Sequence, residues 1–344
     1  HSVDDDWLMP IAGTKIVAPS EILNHLSSFK EKLSGAKNGA ILLGNFAQQH
    51  PRAAQIHAAA QALARSVNAK VGFLGEAANS LGGYVAGLPV GGNLNDALAK
   101  KALIVLNAEP QLDCADPQAA AAALQAAEFV VALSAFRSGL EYANVILPIG
   151  AFTETAGSFV NTEGRLQPFY ATVNPPGETR PGWKVLRVLG TMLGAPGFEL
   201  DDVEQVRAAC LEGRDISSLL SNEISIGNSE SGELKKTQAL QRIAEVPLYF
   251  ADPLVRRSPP LQATKDAAAP KAWMNAATMA RLGLTNQDEV LIRQGSGEAR
   301  LKAALDDKLP DECVRVAAAH ASTSALGAMF GTVSLQKAAM GKAA

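Results

Sequence analysis

Residues 143–167 read Ala-Asn-Val-Ile-Leu-Pro-Ile-Gly-Ala-Phe-Thr-Glu-Thr-Ala-Gly-Ser-Phe-Val-Asn-Thr-Glu-Gly-Arg-Leu-Gln. The apolar run Val145-Ile146-Leu147 predicts a strand, stopped by Pro148, which has no N–H to give to a ladder. A loop carrying Glu154 and Gly157 leads to a second short strand at 158–160. A compact polar turn follows, Asn161-Thr162-Glu163-Gly164-Arg165. Gly157 and Gly164 suit positions where the backbone needs positive φ or has no room for a side chain. Asn161 can bond its own backbone, and Glu163 with Arg165 can form a local ion pair of small energy. Two roles stay open for this stretch: a self-contained structural turn, or a surface that touches a cofactor.

Upstream, the pattern is strand, helix, strand, repeated. Residues 20–33 form an amphipathic helical stretch with Ser20 as N-cap and Ile22, Leu23, Leu26 and Phe29 at helical spacing. Strands are expected at 40–43, 70–74, 102–106 and 129–133, with helices at 53–67, 95–100 and 117–127 between them. Continuous apolar strands alternating with helices argue for an α/β fold with doubly wound, largely parallel sheets and flanking helices. In such sheets ligands sit beyond the carboxyl ends of the strands. The loops there are Gly44-Asn45, 75–83, 107–116 and 150–165, which would form a dinucleotide-sized crevice if they converge. None of them carries G-x-G-x-x-G or a P-loop Lys-Ser/Thr, so NAD binding is disfavoured.

Downstream, 174–182 is a Pro/Gly-rich loop, 183–193 a helix, and 201–220 one or two more. Residues 221–232 are polar, and 252–270 carry prolines at 253, 259, 260 and 270. The span 221–270 therefore reads as a flexible Pro/Ser-rich linker. From 271 the character changes. A short helix at 274–284 ends at Gly283, a strand runs 289–293, and Gly295-Ser296-Gly297 makes a hairpin turn. Further strands follow at 299–304 and 314–317. The block ends in the Ala-rich 322–344, and a small β-barrel-like domain is expected at the C-terminus.

At 344 residues the chain exceeds what one core usually fills, so two or three domains are expected. A hydrophobic content of 47% with 19% charged residues describes a globular protein, and a net charge of −3 creates no field to gather nucleic acid. No apolar run reaches membrane-spanning length; the best, 119–136, is interrupted by Gln125 and Glu128. Cys114, Cys210 and Cys313 lie about a hundred residues apart, which supplies neither an iron–sulfur cluster nor a structural zinc. His50 and His57 can share a helix face but have no third ligand in view. No G-x-S-x-G elbow occurs, and no catalytic or metal-ligating residue is assigned. The start, His1-Ser2-Val3 and three aspartates, reads as a piece cut from a larger protein.

The 143–167 stretch resembles the signature of the molybdopterin oxidoreductase superfamily, in which a Leu-Pro strand end leads to a Glu, a Gly and Asn-x-Glu-Gly-Arg-x-Gln. Within it the wording is most similar to the G-subunit branch of the bacterial NADH–quinone oxidoreductases, respiratory complex I. That resemblance implies iron–sulfur clusters N-terminal to this segment, relaying electrons from NADH towards quinone. It also implies contacts with other peripheral-arm subunits on the cytoplasmic side of the bacterial inner membrane, without membrane insertion. The segment itself is expected to hold no cofactor. In the superfamily the crevice holds the guanine dinucleotide arms of a pterin, and the matching loops here supply Asn45, Asn79, Gly82, Gly83, Asp113, Glu154, Asn161, Glu163 and Arg165 as vestigial pocket candidates. Asp113 and its neighbour Asp116 could pair with a guanine edge; each candidate is equally a cap or turn residue. The alternative is a pterin-dependent molybdenum or tungsten enzyme of formate dehydrogenase type, with molybdopterin guanine dinucleotide bound and its metal ligand upstream. The expected divisions are 1–36 as the N-terminal segment of a truncated α/β domain, 37–135 as a dinucleotide-binding-like α/β domain, 136–220 as the return to the first α/β domain carrying the signature loop, the flexible linker 221–270, and 271–344 as a β-barrel-like domain that is shortened relative to active members of the superfamily.

Overall fold

The computed structural model describes residues 1–3, 10–88, 93–224 and 239–338. The chain forms two units that interleave in sequence: His1–Gly72 with Pro110–Ala121 and Glu223–Ala344, and Phe73–Glu109 with Ala122–Asn222.

The first unit opens with short helical turns over 19–34, then strand β1 (Ala40–Leu43), a helix Ala53–Val67 and strand β2 (Lys70–Phe73), which pairs with β1. Ile56, Ala60, Leu63 and Ala64 bury one face of that helix at the spacing its sequence shows. Asn68, at φ 53°, ends it in the left-handed conformation that asparagine tolerates. The rest of the unit is a closed six-stranded barrel. Its strands are β8 (Leu240–Ile243), β9 (Lys271–Met274), β10 (Glu289–Gln294), β11 (Gly297–Leu305), β12 (Cys313–Arg315) and β13 (Phe330–Lys337). They close in the order β10-β11-β9-β12-β8-β13. Inward residues such as Met274, Val290, Ile292, Ala303, Val314 and Leu326 form its core. The helix Ala276–Arg281 starts later than the expected 274, since Met274 ends β9 and Asn275 is its cap; Gly283 at φ 65° ends it, as the sequence leads one to expect.

Two expectations fail here. The linker proposed for 221–270 contains β8, paired in parallel with β12 and antiparallel with β13. Short helices at Pro253–Arg256 and Pro259–Gln262 occupy its proline-rich part, with Pro at the first helical position, where a missing N–H costs nothing. Residues 225–238 of that span lie outside the described residues. The Ala-rich tail is also not outside the barrel. β13 falls in the Ala-rich 322–344 and pairs with β10 and β8, so it closes the sheet.

The second unit holds β3 (Ala102–Leu106), β4 (Phe129–Ser134) and β5 (Val145–Pro148), parallel and in sequential order, and a hairpin of β6 (Gly157–Val160) with β7 (Leu166–Phe169). Helices Ser80–Val85, Gly182–Met192 and Val203–Leu211 accompany them, the last capped by Asp202.

Candidate functional site

The signature stretch lies within the second unit, and its fixed points can be followed residue by residue. β5 pairs with β4 from Val131↔Val145 to Ser134↔Pro148, so Pro148 stands at the end of the ladder, where its missing N–H is tolerated. The chain then passes Ile149, which bridges Arg180, and Gly150, whose N–H donates to the Arg180 carbonyl at 3.0 Å. Phe152–Glu154 makes a single 3₁₀ turn. Glu154 reaches back, its Oε2 accepting the Ala151 N–H at 2.9 Å, and so caps that turn. A Cβ on Gly150 would lie 3.2 Å from the Glu154 Cβ, so a side chain there would crowd the capping carboxylate.

Gly157 opens the β6–β7 hairpin opposite Phe169. A Cβ at 157 would sit 2.9 Å from the Phe169 ring, and that ring also meets Phe159 edge-on with centroids 4.9 Å apart. Gly157 is therefore a close-approach glycine; its neighbour in the motif, Gly164, is a conformational one, at φ 80°. Asn161 organises the turn. Its Oδ1 accepts the N–H groups of Glu163 at 3.1 Å and Arg165 at 2.9 Å, while its own N–H donates to the Arg165 carbonyl. Glu163 and Arg165 approach only to 4.0 Å, and both are exposed, so their attraction is largely screened.

Asn79 joins this assembly from far away in sequence. Its Oδ1 accepts the Val160 N–H at 2.9 Å, which ties the start of the Ser80–Val85 helix to the end of β6. Gly82 lies beneath that carboxamide, and any Cβ there would overlap it. Gly83, by contrast, has nothing within 4 Å of where a Cβ would stand. Asn79, Gly82, Glu163 and Gly164 thus gather around one end of the hairpin. Beside them lies a cleft of about 280 Å³ lined by Leu81, Thr162, Glu163, Gly164, Ser217, Leu220, Ser221 and Asn222.

The remaining candidates belong to the first unit. Asn45 is exposed at the start of the short helix Asn45–Gln49, after Gly44. Asp113 is paired with Arg256, whose side chain is almost wholly buried. Asp116 accepts the Ala119 N–H at 3.1 Å, a helix-capping bond. Cys114, between these two aspartates, has its thiol pKa raised by burial first and by the two carboxylates next. His50 is not free to ligate. Its Nδ1 accepts the Arg52 N–H at 3.0 Å and its Nε2 lies 3.1 Å from the Pro19 carbonyl, an arrangement that fits the Nε2–H tautomer. Among the described residues no group of three or more His, Cys, Asp or Glu is placed to hold a metal ion.

The fit to a pterin dinucleotide is poor at the signature cleft. Its volume falls below the roughly 300–1,000 Å³ of ordinary small-ligand sites, and a dinucleotide needs more. The lining carries one carboxylate, Glu163, and no Arg, Lys or His to meet a pyrophosphate. One oxygen each of Asn79, Glu154 and Asn161 is engaged by backbone N–H groups of the chain itself.

Sequence reasoning missed a buried polar group in the barrel. Arg242 of β8 is 1% exposed, and its Nη1 donates to the Gln294 Oε1 and to the carbonyls of Gly327 and Ala328. Gln294 in turn donates to the Ala328 carbonyl at 2.7 Å, and Gln118 donates to the carbonyls of Gln294 and Ala325. These bonds hold the loop before β13 against the barrel. No pattern within Leu-Gln-Arg-Ile signals such a burial.

Residues 5–192 match the family model for molybdopterin oxidoreductase, and residues 255–337 match that for the molydopterin dinucleotide binding domain. The chain is 38% identical over 135 residues to the mitochondrial NADH-ubiquinone oxidoreductase 78 kDa subunit of Candida albicans, covering 35% of this chain and 18% of that protein. It is 29% identical over 222 residues to the G subunit of NADH-quinone oxidoreductase from Mycobacterium tuberculosis, covering 62% of this chain and 26% of that protein. The matched part is therefore only 18% to 26% of the length of these two relatives. Among solved structures, acetylene hydratase from Pelobacter acetylenicus is similar with a TM-score of 0.49 at 14% identity, covering 71% of this chain and 46% of that one.

Proposed function

Since this chain belongs to the molybdopterin oxidoreductase family, we propose that it keeps the family's fold without its cofactor, as a structural region of a protein of the G-subunit type of NADH–quinone oxidoreductase. The observation that carries this reading is the self-engagement of the signature: Glu154 caps its own turn, Asn161 its own hairpin, and Asn79 the end of β6. Oxygens of the motif that accept N–H groups of the chain itself shape a loop and leave fewer acceptors for a ligand. The names of the relatives supply the redox context. In this reading iron–sulfur clusters on polypeptide outside residues 1–344 carry electrons from NADH towards quinone, and the present region packs beside them and shields them from solvent. Its partners are other peripheral-arm subunits of the complex, on the cytoplasmic side of a bacterial inner membrane, with no nucleic acid involved. Among the described residues no helix is long and apolar enough to cross a membrane, in keeping with a peripheral place.

A second reading, a pterin-dependent oxidoreductase of formate dehydrogenase type, has one specific observation in its favour. The barrel is closed, and residues 255–337 match the dinucleotide-binding model. Elemental analysis for molybdenum, tungsten and iron, with pterin fluorescence after oxidation, separates the two when made on the complete native protein. Iron without molybdenum, tungsten or pterin is the expected result. Stoichiometric pterin and metal would overturn the structural reading.

A further inference from the structure

Asn38-Gly39 is the only Asn-Gly pair in the sequence. It lies in the turn between the helix Lys30–Ser34 and β1, within the first unit, and Asn38 is exposed. Among the described residues, neither the Asn38 carboxamide nor the Gly39 N–H takes part in a hydrogen bond. The Gly39 carbonyl, by contrast, accepts the Lys70 N–H at 2.9 Å and so ties the start of β1 to the start of β2. The backbones run close at this point, since a Cβ on Gly39 would lie 3.2 Å from that of Ala69.

An asparagine followed by glycine is open to attack by its own chain, because no Cβ on the next residue hinders approach of that residue's nitrogen. The Gly39 nitrogen gives its proton to solvent hydroxide and attacks Cγ of Asn38. The N–Cγ bond forms, the Cγ–Nδ2 bond breaks, and Nδ2 leaves as ammonia after taking a proton from water. A water molecule then opens the cyclic imide. Attack at Cγ gives aspartate; attack at the main-chain carbonyl carbon gives isoaspartate, whose backbone runs through Cβ and Cγ. No electrons are exchanged, and the net change is one water consumed and one ammonia released. We propose that Asn38-Gly39 is a self-modification site of the folded protein, and that its isoaspartate product loosens the junction of β1 with β2. The exposed turn shifts its dihedrals without breaking a ladder, so the fold leaves ring closure open. The extra backbone carbon then displaces Gly39, whose carbonyl holds Lys70. Asn79-Ser80 provides an internal contrast. Its following residue is also small, yet the Asn79 Oδ1 accepts the Val160 N–H, and the Ser80 nitrogen opens a helix and donates to the Ala77 carbonyl.

Incubation of the complete native protein at mildly alkaline pH, then peptide mapping with enzymatic methylation of isoaspartyl groups, tests the site. Residue 38 is expected to convert ahead of Asn79, mainly to isoaspartate, at a rate within about tenfold of that in a free peptide spanning 34–43. A rate further below the peptide's, or conversion of Asn79 first, overturns the proposal. The Gly39→Ala control belongs in the peptide, because in the folded protein its Cβ would crowd Ala69. There it should slow the loss by about tenfold or more, and equal rates would contradict attack by the residue 39 nitrogen. Hydrogen exchange reads the structural half. The Lys70 amide should exchange faster after ageing of the native protein and remain unchanged in aged Asn38→Gln, whose longer side chain closes a ring far less readily. Isoaspartate at 38 with no change at Lys70 would overturn the claim that the junction loosens.

Discussion

Asn161 shows how much of the site rests on one carboxamide. Its Oδ1 serves two N–H groups in an exposed turn, so Asn161→Ala should lower stability by about 1 kcal/mol, since water can replace part of what is lost. Urea unfolding measures it, and Asn161→Asp should recover most of the loss because the acceptor is kept. Gly82→Ala should cost more, about 1–3 kcal/mol, because a Cβ there displaces the Asn79 side chain from Val160. Neither substitution should change the metal content of the native protein if the motif is structural. His50 gives a pH-dependent prediction. Burial lowers its pKa first, with Arg52 adding to the effect and the Pro19 carbonyl opposing it. The folded state thus holds it neutral, while the unfolded chain takes up a proton below the ordinary value near 6.5. Stability should be complete above that value and fall as the pH drops from it through the lower folded pKa. His320, also lowered by burial, contributes in the same direction, so His50→Gln should reduce the slope of stability against pH in that window without abolishing it. Chemical denaturation at a series of pH values reads both.

Elements with a dense local pattern are legible in the sequence, and those defined by distant partners are not. The helix Ala53–Val67 and the strands β1, β3 and β4 announce themselves through periodicity and apolar runs. β8 does not: four residues, one of them arginine, lie between a polar stretch and a cluster of prolines, and only pairing with β12 and β13 makes them a strand. β13 alternates Val333, Ser334 and Leu335 correctly, but its alanine- and glycine-rich surroundings dilute the signal, and Gly331 sits at φ 136°. The site follows the same rule. The turn at Asn161 is local and could be anticipated, whereas the bond between Asn79 and Val160 joins residues 81 apart. Arg242 lends itself to a test at this scale. Burial draws its pKa down to about 10, so it remains charged near neutrality, and its Nε is buried without a partner. Arg242→Ala should cost about 2–4 kcal/mol, because Gln294, Gly327 and Ala328 lose their shared donor and a cavity remains. Arg242→Met, which refills the space, should cost less, and thermal unfolding ranks the two.

For the whole molecule, the two units interleave in sequence. The chain changes unit within β2 and within the helix Pro117–Ala126, places where composition gives no sign of a boundary. Thiol chemistry offers a global readout. Cys313 is fully buried in β12 and its pKa is pushed up to about 12, by burial first and then by Glu21, Glu312 and Asp311, while Cys114 and Cys210 are half-buried. Alkylation followed by mass spectrometry should therefore label Cys313 last, at a rate that tracks barrel opening; early labelling at 313 would contradict a closed barrel. Closure itself has a temporal side. β13 is the shared neighbour of β8 and β10, so until residues 330–337 are in place both strands offer a bare hydrogen-bonding rim. Those rims invite pairing between molecules, and the loop that brings 240 to 333 must be closed against its entropy before the reward arrives. A nascent chain stalled ahead of Phe330 would carry two adhesive edges at once, and the interval in which this protein most needs a chaperone is the one between making β12 and making β13.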